Sequence, residues 1–162
     1  MIDIGSRNDR WYSKQLSNFA AHRFTVDDVQ CNSMEGFLQS LKFQSPEIQV
    51  IICSLVGYEA KKAGKYQDWK STQTLWWRGL VYSRSSQEYQ DLLDKAYIKL
   101  SGSTSFKLAL IATGMEELSH NIGRSNPKET VLTRYEFISR LYIIRDYYLA
   151  NKIVTDLKPL NK

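Results

Sequence analysis

The side chains with the clearest chemical potential lie in one short segment, SMEGFLQSLKF, which covers residues 33–43. In a helix, Glu35, Gln39 and Lys42 follow one another at i, i+4 and i+7 and share one side. A carboxylate, an amide and an amine then project together, a set able to move a proton or stabilise positive charge. Spacing alone favours a solvated helix face, because Asn32 and Glu35 also fit a capping box and polar stripes are common.

Short strands are predicted before this segment. Apolar and polar residues alternate over residues 22–26, Asp27-Asp28 favours a turn, and Val29 and Cys31 indicate a return strand. Ile2 and Ile4 indicate a further strand at the N-terminus. These elements predict a small β-sheet in the first part of the chain.

The remainder is predicted to be helical. Asn32-Ser33 caps the first helix, Pro46 starts the second, and Gly64 stops a short one. Capping boxes are expected at Ser85/Glu88 and at Thr133/Glu136, whereas residues 116–132 form the longest irregular stretch. The predicted helices cover about residues 33–43, 46–57, 59–63, 72–82, 85–100, 106–112 and 133–150. The fold class expected is α+β, a mostly helical single domain over residues 1–162 with a small N-terminal β-sheet.

The composition is that of a globular protein: 43% of the 162 residues are hydrophobic, and no apolar run is long enough to span a bilayer. The N-terminus carries no apolar stretch typical of a secretion signal. Cys31 and Cys53 lie in apolar segments and are predicted to be buried free thiols, and they and the two histidines show no metal-ligand spacing. We therefore expect a cytoplasmic protein without metal or membrane partner. The net charge of +5 permits an anionic partner, either nucleic acid or a phosphorylated small molecule.

Six motifs, taken in order, resemble the NADAR family. They are LSNF at 16–19, the Ser-Met-Glu-Gly and Gln-x-x-Lys-Phe helix, AKKAG at 60–64, DW at 68–69, LSHNIG at 118–123 and ETVLTRYEF at 129–137. That family includes N-glycosidases of riboflavin-biosynthesis intermediates and enzymes that remove ADP-ribose from guanine bases. The resemblance implies a NADAR-like domain that cleaves an N-glycosidic bond with water and no cofactor.

The resemblance implies that Glu35 is the catalytic carboxylate. Breaking an N-glycosidic bond develops oxocarbenium character at C1′, which a nearby carboxylate stabilises while water is activated. The dipole at the helix N-terminus is expected to favour the ionised form of Glu35. Lys42 is a candidate to trap an open-chain ribosyl aldehyde as a Schiff base, with Lys61 as a rival; either lysine alternatively holds a phosphate or is solvated.

The same resemblance implies a set of substrate-binding residues. Trp69, expected just before a helix, would stack on a flat base, with core packing as the alternative. Asn18 would bond ribose hydroxyls or base edges, or hold a turn. The other candidates are Arg7, Phe19, Gln39, His120, Gly123, Thr130 and Thr133.

Several of these candidates have a structural alternative. Arg7 would bind a phosphate or be solvated, and His120 precedes a glycine, Gly123, that permits close backbone approach to a ligand. Thr130 and Thr133 flank the start of the last helix, where a phosphate of ADP-ribose would bind, although Thr133 alternatively serves only as a cap.

The late loop departs from the riboflavin-intermediate branch of the family. That branch carries an acidic residue and a Trp-Gly pair here, whereas this chain has NIGRSNPKETVLTRYEF. The difference favours ADP-ribose on a guanine base of nucleic acid, DNA rather than RNA, or an ADP-ribosyl nucleoside, as substrate. The alternatives are an N-glycosidase of a small phosphoribosyl pyrimidine or NAD-derived metabolite, and a non-catalytic module that binds ADP-ribose or nucleic acid.

Overall fold

Helices make up most of the fold, and short strands connect them. The computed structural model describes residues 1–157, with side chains through residue 152. The elements in chain order are β1 (Ile2–Asp3), α1 (Trp11–Leu16), β2 (Phe24–Val26), β3 (Val29–Cys31), α2 (Met34–Ser40), α3 (Pro46–Cys53), α4 (Gly57–Ala63), β4 (Thr74–Trp77), β5 (Leu80–Ser83), α5 (Gln87–Leu100), α6 (Thr104–Ala112), β6 (Leu118–Ser119) and α7 (Arg134–Leu157). This is the α+β, mostly helical domain that the sequence predicts.

Helix α2 is fixed at its N-terminus by Ser33. The Ser33 hydroxyl accepts a hydrogen bond from the Gly36 N–H (3.0 Å) and donates one to the Leu55 carbonyl (2.8 Å). Gly36 faces the end of α3 so closely that a Cβ would lie 2.7 Å from the Leu55 oxygen. The helix ends at Ser40, so the predicted extension to residue 43 is wrong; the Phe43 N–H bonds the Ser40 carbonyl, three residues back, in a turn.

The strands form three separate two-stranded sheets rather than one. Strands β2 and β3 pair antiparallel around Asp27 and Asp28, whose φ angles of 45° and 67° make the predicted tight turn. Strand β1 is confirmed as well, but it pairs in parallel with β6, which lies in the stretch predicted to be irregular. The first strand is thus attached to the late part of the chain.

The segment predicted as a helix over residues 72–82 is instead the β4–β5 hairpin. Arg78 and Gly79 have φ angles of 49° and 83°, which a two-residue hairpin turn requires and a helix forbids. The flanking residues, TLWW and LVYS, are mostly aromatic, β-branched or leucine, and aromatic and β-branched residues favour strands. Trp77 anchors the hairpin, because its ring is buried against Phe37 and its indole N–H donates to Asp27 (2.9 Å).

The other helices follow the prediction with shifted ends. Helix α3 ends at Cys53, and Gly57, with a φ of +60°, begins α4 rather than ending α3. Ser86, not Ser85, caps α5 by accepting from the Tyr89 N–H (3.1 Å). Helix α1 was not predicted. Both cysteines are buried free thiols, as the sequence predicts.

The capping box at the start of α7 is confirmed and joins a buried ion pair. The Thr133 hydroxyl accepts from the Glu136 N–H (3.1 Å), and the Glu136 carboxylate accepts from the Thr133 N–H (2.6 Å). The guanidinium of Arg84 bonds both oxygens of that carboxylate, at 3.0 and 2.8 Å. Although burial opposes the charge, the bonds from Arg84, Thr133 and Gln90 keep the Glu136 pKa below its usual value. This stabilisation is present above the ordinary glutamate pKa and is lost as pH falls through the lower folded value.

Replacing Arg84 with Ala is expected to lower the free energy of unfolding by about 3–5 kcal/mol, because Glu136 would remain buried without its counter-charge. Urea denaturation followed by circular dichroism measures the loss. Lys95→Ala is the matched control: the Lys95–Asp27 pair (3.1 Å) joins partly exposed side chains and should contribute at most about 1 kcal/mol. Equal losses in the two variants would show that Arg84 does not hold the start of α7.

Candidate functional site

Glu35 lies in the first turn of α2, where the loop after α1 meets the helix. Its backbone N–H donates to the Asn18 carbonyl (2.9 Å), and its carboxylate accepts from the Gln39 amide (2.8 Å). Burial raises the pKa of Glu35, while the Gln39 bond and the charges of Lys61 and Lys42 act in the opposite direction. Desolvation outweighs these terms, so the net shift of the Glu35 pKa is opposite in direction to the one expected from the helix dipole alone.

Lys42 lies two residues beyond α2 and is half-buried. Burial lowers its pKa, Glu35 raises it, and the nearby charges of Lys70 and Lys61 lower it further. Lys61, on α4, is exposed, with its ammonium 5.8 Å from the centre of the Phe19 ring. The structure thus brings two of the predicted catalytic residues, Lys42 and Lys61, into electrostatic contact with the third, Glu35.

Two residues of this region were not predicted. Lys70 contributes to the positive field and pairs with Glu129 at 3.6 Å. Tyr97, buried on α5, donates its hydroxyl to the Asn18 side chain (2.8 Å) and so holds the loop that contacts Glu35. Neither has a local sequence signal, because each reaches the site from a distant part of the chain.

Gln39 positions the Glu35 carboxylate, and its side chain lies directly against Gly64. The Gln39 side chain is only 5% exposed, and its amide nitrogen bonds Glu35. Gly64 is the C-cap of α4, as predicted, and a Cβ there would overlap the Gln39 side-chain oxygen. The glycine of the AKKAG motif therefore makes room for the residue that orients Glu35.

Three predicted binding residues are placed differently from the expectation. Trp69 is 3% exposed within the hydrophobic core, and the hairpin follows it rather than a helix, which favours core packing over stacking on a base. Thr133 is buried as a cap: its N–H donates to the Glu136 carboxylate and its hydroxyl accepts from the Glu136 N–H, so neither group is left to bind a phosphate. The Thr130 hydroxyl bonds Leu132 within the same loop.

The remaining candidates make no described contact with Glu35. Arg7 is exposed on the loop between β1 and α1, and no hydrogen bond or ion pair described for residues 1–152 joins it to Glu35. The His120 ring packs edge-on against Phe137 (5.1 Å), and its Nδ1 lies 2.7 Å from the Ile4 carbonyl oxygen. A Cβ on Gly123 would lie 2.5 Å from the His120 ring, so its close approach is to this side chain.

The described residues offer neither a metal-binding cluster nor a membrane-spanning helix. Among the described residues, no group of three or more His, Cys, Asp or Glu side chains is arranged to hold a metal ion. No helix in residues 1–157 is both long and apolar enough to cross a membrane.

Residues 10–146 match the family described as Bacteriophage protein GP30.3. The chain belongs to this family. It is 38% identical over 142 residues to a protein of Enterobacteria phage T4, described as an uncharacterized 17.1 kDa protein in the Gp30–rIII intergenic region, with 86% of this chain and 93% of the T4 protein covered. The GP30.3 match includes every candidate site residue except Arg7.

The fold of this GP30.3 family member is NADAR-like. It resembles the NMR structure of the Escherichia coli protein YbiA, a NADAR-family protein, with a TM-score of 0.57 over 94% of this chain and 90% of YbiA. The sequence identity is 16%, so the likeness is one of fold.

Gly64→Ala is expected to displace Gln39 and to raise the pKa of Glu35, because the carboxylate loses a hydrogen bond that stabilises its charge. Overpacking should also lower the free energy of unfolding by about 1–3 kcal/mol. NMR titration of the glutamate side-chain carboxyls measures the pKa. Gly102→Ala is the control, since its Cβ would lie 3.4 Å from its nearest neighbour. An unchanged Glu35 pKa would mean that Gln39 keeps its bond despite the methyl group.

Proposed function

We propose that this protein is an N-glycosidase that hydrolyses the bond between ADP-ribose and a guanine base of nucleic acid. The observation that carries the proposal is the Glu35 carboxyl, which is held by Gln39 and flanked by two lysines. Such an enzyme would restore the base and reverse the modification made by an ADP-ribosylating toxin.

The chemistry follows from the raised pKa of Glu35. As the bond from C1′ to the base nitrogen breaks, the bonding electrons leave with the base and C1′ becomes cationic. The ionised carboxylate stabilises that charge and accepts a proton from the attacking water, whose oxygen bonds C1′. Glu35 then returns this proton to the departing base, which regenerates the carboxylate. A carboxyl with a raised pKa accepts and returns protons more readily near neutral pH than an ordinary glutamate.

The lysines suit an anionic substrate. Lys42 and Lys61 both act electrostatically on the Glu35 carboxylate, and their positive charge would hold the diphosphate of an ADP-ribosyl group. Burial lowers the pKa of Lys42, so that its neutral amine is the better nucleophile if the ribose opens to an aldehyde.

Two further features support this substrate over a riboflavin intermediate. The late loop lacks the acidic residue and Trp-Gly pair of the riboflavin branch, and the net charge is +5. A basic protein attracts the phosphate backbone of nucleic acid.

Glu35→Gln is expected to reduce turnover of an ADP-ribosylated oligonucleotide by at least about 100-fold, because an amide neither accepts the proton nor neutralises C1′. Mass spectrometry of both products, free ADP-ribose and repaired oligonucleotide, measures turnover. Glu47→Gln, an exposed glutamate on α3, is the control and should retain full activity. Near-native turnover by Glu35→Gln would remove Glu35 from the mechanism.

The wild-type protein distinguishes the substrate classes in the same assay. The oligonucleotide should be processed better than the free ADP-ribosyl nucleoside at low salt, with the difference closing as salt is raised. Equal efficiency at every salt concentration would favour a metabolite N-glycosidase. Binding of the oligonucleotide without any turnover would favour a non-catalytic module.

Lys42 is expected to form an imine if the reaction passes through an open-chain aldehyde. Borohydride added during turnover would reduce the imine, and peptide mapping should then find the adduct on Lys42. Lys99→Ala, at an exposed lysine in the last turn of α5, is the control variant and should leave this adduct unchanged. An adduct on Lys61 would reverse the assignment, and loss of turnover in Lys42→Ala without any adduct would assign Lys42 an electrostatic role.

A further inference from the structure

A groove of about 360 Å³ lies between α7 and the segment that begins with β6. One wall consists of Ser119, His120 and Asn121, and the other of side chains from the first half of α7. None of the lining residues is acidic, and the α7 wall offers two tyrosines, one isoleucine and one arginine, namely Tyr135, Tyr142, Ile138 and Arg134.

The polar groups of the groove are positioned by the protein and retain bonding capacity. A carbonyl only accepts, so the contact with the Ile4 oxygen places a hydrogen on His120 Nδ1, while Nε2 has no hydrogen-bond partner among the described residues. The Ser119 hydroxyl oxygen is buried and has no hydrogen-bond partner among the described residues. Arg134 donates through Nε to the Gly123 carbonyl, which orients its guanidinium beside the groove.

The aromatic side chains differ in how they are held. The Tyr142 hydroxyl accepts from the Leu118 N–H (2.7 Å) and is therefore fixed. Tyr135 is 81% exposed, so the face of its ring is accessible to a ligand in the groove. Gly123 leaves room for a side chain of each wall. A Cβ at this position would lie 2.8 Å from the Arg134 side chain and 2.5 Å from the His120 ring.

We propose that this groove binds a nucleotide. The base lies against Tyr135 and Ile138, and its edge donates to His120 Nε2. The phosphate binds the guanidinium of Arg134, whose planar donors match phosphate oxygens. A single positive side chain, an apolar wall with an exposed ring, and the absence of carboxylates in the lining fit this combination of a flat base and an anion.

The groove is distinct from the cluster around Glu35 but is joined to it by contacts. His120 touches Phe137, the Phe137 ring lies 6.2 Å from that of Tyr97, and Tyr97 bonds Asn18. The nucleotide is either the adenylate end of an ADP-ribosyl group or an unmodified nucleotide of a nucleic-acid strand. Nucleotide binding in this groove is separate from the glycosidase activity and does not require turnover.

Equilibrium binding of AMP, ADP-ribose and a short unmodified single-stranded DNA to the wild-type protein tests the inference. None of these is cleaved by an N-glycosidase that requires an ADP-ribosylated base, so the result does not depend on catalysis. Tyr135→Ala should weaken binding about five- to 100-fold through loss of the stack. Tyr147→Ala is the matched control, because Tyr147 is also an exposed tyrosine of α7 (65%) and lies outside the groove.

The ligand series identifies the source of the nucleotide. Binding of AMP and ADP-ribose, weakened by Tyr135→Ala and by Arg134→Gln, supports the adenylate end; binding of DNA alone with the same losses supports a strand nucleotide. Ribose 5-phosphate, which lacks a base, should be insensitive to Tyr135→Ala. Failure of all three ligands to bind, or equal affinities of Tyr135→Ala and Tyr147→Ala, would overturn the proposal.

Discussion

The close contact between Gly36 and the end of α3 is the constraint on which the candidate site depends. A methyl group at Gly36 would meet the carbonyls of Leu55, Ile52 and Cys53 at 2.7–3.1 Å, so only glycine allows α2 to pack there. Ser33 bonds across the same junction and caps the helix. Glu35, between these two residues, is thereby placed against the Asn18 loop with most of its surroundings supplied by protein. The desolvation of Glu35 follows from this packing of α2 on the end of α3.

Buried Glu136 and half-buried Glu35 show how the surroundings shift the pKa of a carboxyl in opposite directions. Glu136 is bonded by Arg84, Gln90 and a backbone N–H, and despite its burial its pKa is lowered. Glu35 receives one neutral amide bond and only the more distant charges of lysines, and burial raises its pKa. The Glu136 carboxylate therefore stabilises the start of α7. The Glu35 carboxyl retains a proton equilibrium closer to neutrality, which general acid–base work requires.

Both glycines of the AKKAG and LSHNIG motifs act through side chains of the protein itself. Gly64 leaves room for Gln39 beside Glu35, and Gly123 leaves room for His120 and Arg134, which lie on opposite walls of the groove. A glycine within a motif is commonly attributed to a backbone turn or to ligand approach. Here the missing Cβ instead permits a neighbouring polar side chain to take up its position, so each glycine supports a site that it does not itself form.

The sequence by itself determined the features that depend on neighbouring residues. The β2–β3 turn at Asp27-Asp28, the Ser33 cap, the Thr133–Glu136 capping box and the stripe of Glu35 and Gln39 all arise within a few positions of the chain. The tertiary structure alone decided the features that depend on distant contacts. These are the pairing of β1 with β6, the burial of Trp69 and Thr133, the contact of Gly64 with Gln39, and the direction of the Glu35 pKa. The physical reason is that turn geometry and helix capping are local, whereas desolvation and long-range pairing are set by elements that the chain brings together only when it folds.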